Sequence, residues 1–265
     1  MNLILLKTTF KKNWILMLIF IGVLVMYLAV MVAMFDPEDM NALNEMISIF
    51  PEELMKAFGF SSLVTDLTAY LASWLYGMLM TALPVVYCII LGNRLVAKMV
   101  DNGSLAYLLS TPVSRVKIIL TQGLYAILSV ISMFGILTLF GVLICEISFS
   151  GHLDVRAFVQ LNITTALVNI LAIMIAFFFS CLFNESGLSS GASSGVLIGF
   201  LLMNMIGGSS EQLEILKKLS IYGMYDPVEI VRGAQTIWLN TGLFIASLIL
   251  LVVSVLVFKR KQLPI

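Results

Sequence analysis

The sequence predicts an all-α integral membrane protein with six transmembrane helices. Hydrophobic residues make up 60% of the 265-residue chain and charged residues only 11%, whereas a soluble domain has about 45–50% and about 25%. Crossing a bilayer as a helix takes ~20 mostly apolar residues. Six stretches are long enough, and none has an Asp, Glu, Lys or Arg in its middle: approximately residues 14–35, 68–91, 118–144, 158–182, 188–206 and 237–258.

The distribution of basic residues predicts that both chain termini are cytoplasmic. If the chain starts inside, the inner segments contain ten Lys or Arg residues and two acidic ones, whereas the outer segments contain five basic and thirteen acidic residues. Cytoplasmic loops of membrane proteins are enriched in Lys and Arg. The sorting therefore favours an N-in, C-in topology with an even number of spans.

Residues 1–13 are predicted to form a separate interfacial helix, an elbow, before the first span. Leu3, Leu6 and Phe10 share one helical face, and Lys7 lies beside it. Apolar burial and anionic lipid hold such a helix in the plane of the membrane surface. The alternative is a frayed terminus with a few anchoring lysines.

Residues 36–67 are predicted to form amphipathic helices on the outer surface. Leu43, Met46, Ile47 and Phe50 follow the i, i+3, i+4, i+7 spacing of one helical face. This segment is either a gate or exit surface, or a solvated lid with no specific role.

Residues 101–111, between the second and third spans, are predicted to form a short helix on the inner side. Asp101 or Asn102 can cap its start, because their side-chain oxygens accept hydrogen bonds from free backbone N–H groups. Pro112 ends it, because the residue before a proline is displaced from the α region. The apolar face of this helix consists of Leu105, Leu108 and Leu109.

Polar and kinking residues also occur within two spans. Pro84 in the second span frees a backbone carbonyl and is expected to kink the helix, either as a hinge or as a tolerated irregularity. In the fourth span, Gln160, Asn162 and Asn169 prefer the protein interior. They either line a cavity or form hydrogen bonds between helices.

The fifth span carries a face of glycines four residues apart. Gly187, Gly191, Gly195 and Gly199 lie nearly above one another on a helix. Glycine lets another helix approach closely, which favours association inside a membrane. The partner helix lies either within this chain or in a second copy.

No enzymatic or metal site is predicted. The segment 191–195 matches G-x-S-x-G, but that motif needs a strand-to-helix turn and a base. The only histidine, His152, is expected on an outer loop, far from Ser193. One His and three Cys do not form a zinc site, and no phosphate-binding G-x-x-x-x-G-K-[ST] loop occurs. The absence of an ionisable residue within a span also weakens an ion-coupled mechanism.

The residues between the second and third spans resemble the coupling-helix signature of the ABC-2-type permease family. The family usually has Glu in place of Asp101, a change that keeps the charge. The matching residues are Asp101, Gly103, Leu105, Leu108, Leu109, Ser110, Pro112, Val113, Ser114 and Arg115. The resemblance extends more loosely over the whole chain, 1–265, as a single transmembrane domain with a basic tail.

This resemblance implies a separate cytoplasmic ATPase subunit that binds ATP and Mg, while this chain itself holds no cofactor. It also implies a second copy of the permease, with the first and fifth spans meeting at the glycine face, and a re-entrant outer segment at residues 207–236. The residues expected to dock the ATPase are Asp101, Gly103, Ser104, Leu105, Tyr107, Leu108, Leu109, Ser110, Pro112 and Arg115.

The expected activity is ATP-driven export across a bacterial plasma membrane, with no nucleic-acid partner. Apolar spans without charge suit an amphipathic or lipophilic cargo. The chain resembles the permeases of bacterial exporters of amphipathic peptides such as phenol-soluble modulins. Antibiotics, bacteriocins or lipids are the alternative cargoes, and a non-transporting membrane sensor or scaffold that uses the same ATPase dock is the alternative function.

Overall fold

The computed structural model describes residues 2–36, 66–110, 113–209 and 211–262, so most of the predicted outer segment 36–67 lies outside it. The described part contains helices and no strand. Six of the helices are long and apolar enough to cross a membrane, which confirms the predicted number. These helices, the first to sixth spans, are Leu3–Ala33, Leu79–Asp101, Arg115–Ser148, Val155–Leu182, Ser186–Ser209 and Ile237–Arg260.

Both ends of the described chain lie at the same end of the helix bundle. The Asn2 N–H donates to Thr121 Oγ1 (3.0 Å) near the start of the third span. Arg115 Nη1 donates to the carbonyl oxygen of Lys261 (3.0 Å) at the end of the sixth span. This end of the bundle, called the terminal face below, also carries the segment between the second and third spans.

Residues 3–13 begin the first span and do not form a separate elbow helix, which corrects the prediction. The helix Leu3–Ala33 is uninterrupted. Its N-cap, Asn2, accepts hydrogen bonds at Oδ1 from the N–H groups of Ile4 (3.1 Å) and Leu5 (3.2 Å). No glycine or proline occurs in the first half of this helix, so nothing separates an elbow from the span.

The second span is preceded by irregular helix. A short α-helix, Leu67–Tyr70, continues as the π-helix Leu71–Tyr76 before the regular helix Leu79–Leu95 begins. The predicted irregularity at Pro84 lies inside that regular helix. Regular α-helical structure is therefore interrupted about two turns before the proline.

The fourth span lies at the centre of the bundle. It packs against the second, third, fifth and sixth spans and is the most buried of the six. Gly92 of the second span allows one of these close approaches, because a Cβ at that position would lie 2.7 Å from the Cβ of Ala176. The core of the chain is therefore built around the fourth span.

Two of the predicted polar residues connect the fourth span to neighbouring elements. Gln160 Nε2 donates to Thr236 Oγ1 (2.9 Å), just before the sixth span. Asn162 Oδ1 accepts a hydrogen bond from the Tyr76 hydroxyl (2.8 Å). Asn162 also lines an apolar groove of about 330 Å³ between the third, fourth and sixth spans. Both side chains thus bond between elements, and a role in lining a cargo cavity stays a prediction.

The third polar residue, Asn169, compensates for the proline of the second span. Pro84 has no N–H and cannot bond the carbonyl of Met80, four residues earlier. Asn169 Nδ2 donates to that carbonyl (3.4 Å) as well as to the carbonyl of Thr165 (2.9 Å). A neighbouring helix therefore partners the group that the proline frees, as a lipid environment requires.

Residues 207–236 fold back against the bundle after the fifth span. Ser220 Oγ donates to the carbonyl of Phe200 within that span (2.7 Å). The Tyr225 hydroxyl lies 2.8 Å from Thr165 Oγ1 in the fourth span. The segment contains two short α-helices, Glu214–Leu219 and Pro227–Val231. Its return into the bundle thus fixes the last turns of the fifth span.

Candidate docking site

Two short helices lie at the end of the second span and just after it, where the sequence predicted one helix. The first, Ala97–Asp101, ends the second span, and the second, Ser104–Leu109, is called the docking helix below. Gly103 separates them with a φ of 71°, a left-handed conformation that side chains disfavour. Asn102 Oδ1 accepts a hydrogen bond from the Ser104 N–H (3.0 Å). The N-cap of the docking helix is thus Gly103, and Asn102, one residue earlier, is the predicted cap that bonds its first N–H.

Asp101 bonds instead to the start of the fifth span. Its Oδ2 accepts hydrogen bonds from Ser186 Oγ (2.6 Å) and, more weakly, from the Ser186 N–H (3.4 Å). A carboxylate at a helix N-terminus is favoured because free N–H groups and the helix dipole both attract negative charge. Asp101 thus joins the docking segment to the span that carries the glycine face.

The four apolar residues expected to contact an ATPase differ in their accessibility. Tyr107 is 81% exposed, whereas Leu105 is only 3% exposed and belongs to the chain's own core. Leu108 and Leu109 are partly buried and pack against that core. Tyr107 is therefore the apolar side chain best placed to meet a partner, and Leu105 holds the docking helix to the bundle. Pro112 lies outside the described residues.

Arg115 contacts the chain's own C-terminal segment. As noted above, its guanidinium donates to the carbonyl of Lys261. The ammonium of Lys261 in turn donates to the carbonyls of Cys181 (3.0 Å) and Phe183 (2.6 Å) at the end of the fourth span. Burial lowers the pKa of Lys261 to about 8. Arg115 and Lys261 together clamp the ends of the third, fourth and sixth spans.

The glycine face of the fifth span has no close neighbour within the described chain. A Cβ built at Gly187, Gly191, Gly195 or Gly199 would meet no atom within 4 Å. The fifth span is also the least buried of the six. The face that would permit the closest helix packing therefore lies on the outside of the chain.

The serine of the G-x-S-x-G match is arranged as in an ordinary helix. Ser193 Oγ donates to the carbonyl of Ser190 (3.1 Å), one turn earlier in the fifth span. His152 follows the end of the third span, where its Nδ1 lies 3.2 Å from the carbonyl of Ser150. The two residues stand on different elements, and Ser193 bonds its own helix instead of a base.

Comparison with known families identifies the chain. The model of the ABC-2 family transporter proteins matches residues 6–263. The chain belongs to the ABC-2 family of transporters. It is a multi-pass membrane component of an ABC transporter and not the ATPase, and the family implies a cytoplasmic ATPase subunit as its partner. Neither the comparison with curated proteins nor that with solved structures finds a match.

The sequence did not reveal two features of the site. The Asp101–Ser186 contact joins residues 85 positions apart, and the Arg115–Lys261 contact joins residues 146 positions apart. Ser186 stands just before the glycine face and is a residue type that favours helix N-termini. That preference could have marked the start of the fifth span as a place for a carboxylate.

Proposed function

We propose that this ABC-2 protein is the permease subunit of an ATP-driven exporter, and that the docking helix with its exposed Tyr107 seats in a separate ATPase subunit. The observation that carries the proposal is the combination of an exposed aromatic residue and a helix held to the core. Aromatic residues dominate many protein interfaces. The buried Leu105 on the same helix makes the docking helix part of the bundle.

The contacts of the docking segment suggest how movement is transmitted. ATP can shift a conformational equilibrium only if the ATPase contacts the permease differently in the two states. The docking helix follows the second span directly, after the turn at Gly103. Asp101, the last residue of that span, bonds the start of the fifth span. Displacement of the docking helix would therefore move both spans.

The exposed glycine face supports a second permease copy as the other partner. Within a membrane, helices associate where small residues allow their backbones to approach. Positions that have no neighbour within 4 Å in this chain would gain contacts from a fifth or first span of the partner. The translocation path would then lie between the two copies.

The proposed cargo is an amphipathic or lipophilic molecule, with an amphipathic peptide as the first candidate. Its support is the apolar character of the spans, which contain no charged residue in their middles, and the apolar groove beside Asn162. Purified permease and ATPase in proteoliposomes should show ATP hydrolysis that amphipathic peptides stimulate. A sensor or scaffold would show no stimulation and no accumulation of peptide.

Docking is tested by co-purification of the ATPase with Tyr107→Asp. We expect at least about a tenfold loss of ATPase recovery, because a central aromatic contact is replaced by a charge. Met224→Asp is the matched control, since Met224 is also exposed but follows the opposite end of the fifth span. Equal recovery of the ATPase from the two variants would mean that the docking helix does not contact it.

The proposed orientation, with the terminal face in the cytoplasm of a bacterial cell, is tested by labelling. The native cysteines, Cys88, Cys145 and Cys181, are all buried, so an added cysteine would dominate the signal. In intact cells, a membrane-impermeant thiol reagent should label Ser150→Cys and not Ser110→Cys. The reverse pattern would place the docking helix outside and defeat the proposal.

A further inference from the structure

A mixed polar and apolar cavity of about 460 Å³ opens at the terminal face. It lies between the start of the first span, the end of the second span, the docking helix and the start of the third span. We call it the basic cavity. Each of these four elements contributes at least one polar side chain to its wall.

The charge in the basic cavity is unbalanced. Arg94 and Lys12 line it, and no Asp or Glu is among the lining residues. In the described part of the chain, neither cation has a hydrogen bond or ion pair with an acceptor. Arg94 is partly buried, and a guanidinium stays charged with five N–H donors to satisfy. A partly desolvated cation of this kind favours an anion.

The other polar side chains of the cavity wall are largely occupied. Thr9 Oγ1 donates to Gln122 Oε1 (3.1 Å), and Thr8 Oγ1 donates to the carbonyl of Ile4 (2.9 Å). Asn13 is the exception: its Nδ2 donates to the carbonyl of Thr9 (3.0 Å), but its Oδ1 is buried without a donor. The cavity therefore presents a partly buried guanidinium and an exposed ammonium, and no acidic side chain among its described lining residues balances them.

The position of the cavity identifies the source of the anion as lipid. Trp14, beside Asn13, is 44% exposed. It stands where the polar first turns of the helix give way to its continuous apolar part, and tryptophan at such a boundary marks the headgroup level of a membrane. Ile4, Leu5 and Leu95 supply apolar surface for the glycerol and first acyl carbons. We propose that the basic cavity binds an anionic phospholipid, with its phosphate on Arg94 and Lys12.

The headgroup would also contact the docking helix, because Ser104 and Leu108 form part of the wall. Resting on the proposed function, this contact would make ATPase coupling depend on anionic lipid. Phosphatidylglycerol carries one negative charge, on its phosphate, and serves as the anionic lipid in the test below. The lipid would thus stabilise one position of the docking helix relative to the first span.

The test is lipid binding to the purified chain in detergent, measured by native mass spectrometry with added phosphatidylglycerol or phosphatidylcholine. The wild type should retain phosphatidylglycerol preferentially. Arg94→Gln and Lys12→Gln should each weaken that binding by about fivefold, the usual contribution of one basic residue near an anionic lipid surface. The double variant should bind the two lipids equally.

Arg260→Gln and Lys259→Gln are the matched controls, since both residues are exposed at the terminal face outside the cavity. Equal losses from controls and cavity variants would overturn the site. Inorganic phosphate that displaces the lipid at equal concentration would show a free-anion site and overturn the lipid proposal.

Lys12 is exposed, so Lys12→Gln keeps the test decisive should Arg94→Gln misfold. No ATPase is needed, so failure here is distinguishable from failure of the proposed function.

Discussion

The fourth and fifth spans use their small and polar residues in opposite ways. In the fourth span, Asn162 and Asn169 bond to other elements of the same chain. In the fifth span, a Cβ added at Gly191 or Gly195 would meet no atom of the described residues within 4 Å. One span is the most buried of the six and the other the least.

The difference teaches that, among the described residues, the fourth span is bonded into the core of the chain whereas the glycine face of the fifth has no close neighbour. Polar groups in a bilayer need partners in the protein, and the fourth span has several of them. The uncovered surface is joined to the docking segment by Asp101 and Ser186. The glycine face of the fifth span is therefore the surface that we propose to meet a second copy.

The largest expected effect comes from enlarging two glycines. One packs against the fourth span, and the other lies on the glycine face of the fifth. Gly92→Leu should cost at least about 3 kcal/mol, because the new side chain would meet the backbone of the fourth span at Ala176 and Phe177. Gly195→Leu should leave the monomer as stable or slightly more stable, since Leu favours helix over Gly by about 0.8 kcal/mol. Thermal unfolding in detergent measures both.

Gly195→Leu also tests the proposal that the glycine face meets a second copy. Gly195→Leu should shift the protein from dimer to monomer in size-exclusion chromatography with light scattering. Gly135→Leu is the control, because Gly135 in the third span also has no atom within 4 Å of an added Cβ. A normal dimer population with Gly195→Leu would mean that the glycine face meets lipid and not a second copy.

A second prediction concerns the contact that joins the docking segment to the fifth span. Asp101→Asn keeps the size of the side chain but removes the charge that Ser186 Oγ meets at 2.6 Å. We expect normal ATPase co-purification with several-fold lower cargo-stimulated ATP hydrolysis, because docking is retained while its movement is no longer transmitted. Ser186→Ala should give the same result from the other side.

The double variant, Asp101→Asn with Ser186→Ala, sharpens this test. If the two residues act through their mutual contact, the double variant should be no worse than either single one. Additive losses would mean that Asp101 acts elsewhere, for example directly on the ATPase.

A third prediction addresses the internal bonds of the fourth span. Asn162→Ala leaves the Tyr76 hydroxyl buried without its partner. Measured hydrogen bonds between membrane helices average about 0.6 kcal/mol, and an unsatisfied buried group costs about 1–3 kcal/mol. We therefore expect a loss of about 1 kcal/mol in unfolding free energy, with Tyr76→Phe restoring part of it in the double variant. An unchanged stability would make this bond dispensable.

Much of the fold follows from the sequence because hydrophobic length is a local signal. The six spans, the docking helix and the glycine face are each predicted from the length or spacing of residues that are close together in the sequence. The uninterrupted first helix was missed because the basic residues near Lys7 resemble those of an interfacial helix. The apolar stripe alone cannot tell a separate helix from the first turns of a span.

The contacts at the docking site could not be predicted for a different reason. The spacing of Leu105 and Leu108 defines an apolar face, but which of the two enters the core depends on how the helix packs against the rest of the chain. Asp101 was a plausible cap for the docking helix. In the structure, the left-handed conformation of Gly103 precedes that helix, and Asn102 is the residue that bonds the Ser104 N–H. Such choices depend on distant residues such as Ser186 that only the tertiary structure brings close.

The smallest expected effect lies at the junction between the two spans, where Lys261 caps the end of the fourth. Burial lowers the pKa of Lys261 from 10.5 to about 8, so between these values the folded chain has released a proton that the unfolded chain retains. Unfolding takes up that proton, and the contribution of Lys261 to unfolding free energy therefore rises with pH across this window. Below it, both states hold the proton and the contribution is constant.

Comparison of the wild type with Lys261→Gln isolates this effect from other titrating groups. The difference between their melting temperatures should be constant below about pH 8 and should move in favour of the wild type as pH rises toward about 10. Lys259→Gln, on an exposed neighbour, should show no such trend. A difference that stays flat would mean that the ammonium of Lys261 remains well solvated, and that the end of the fourth span is held by Arg115 and packing alone.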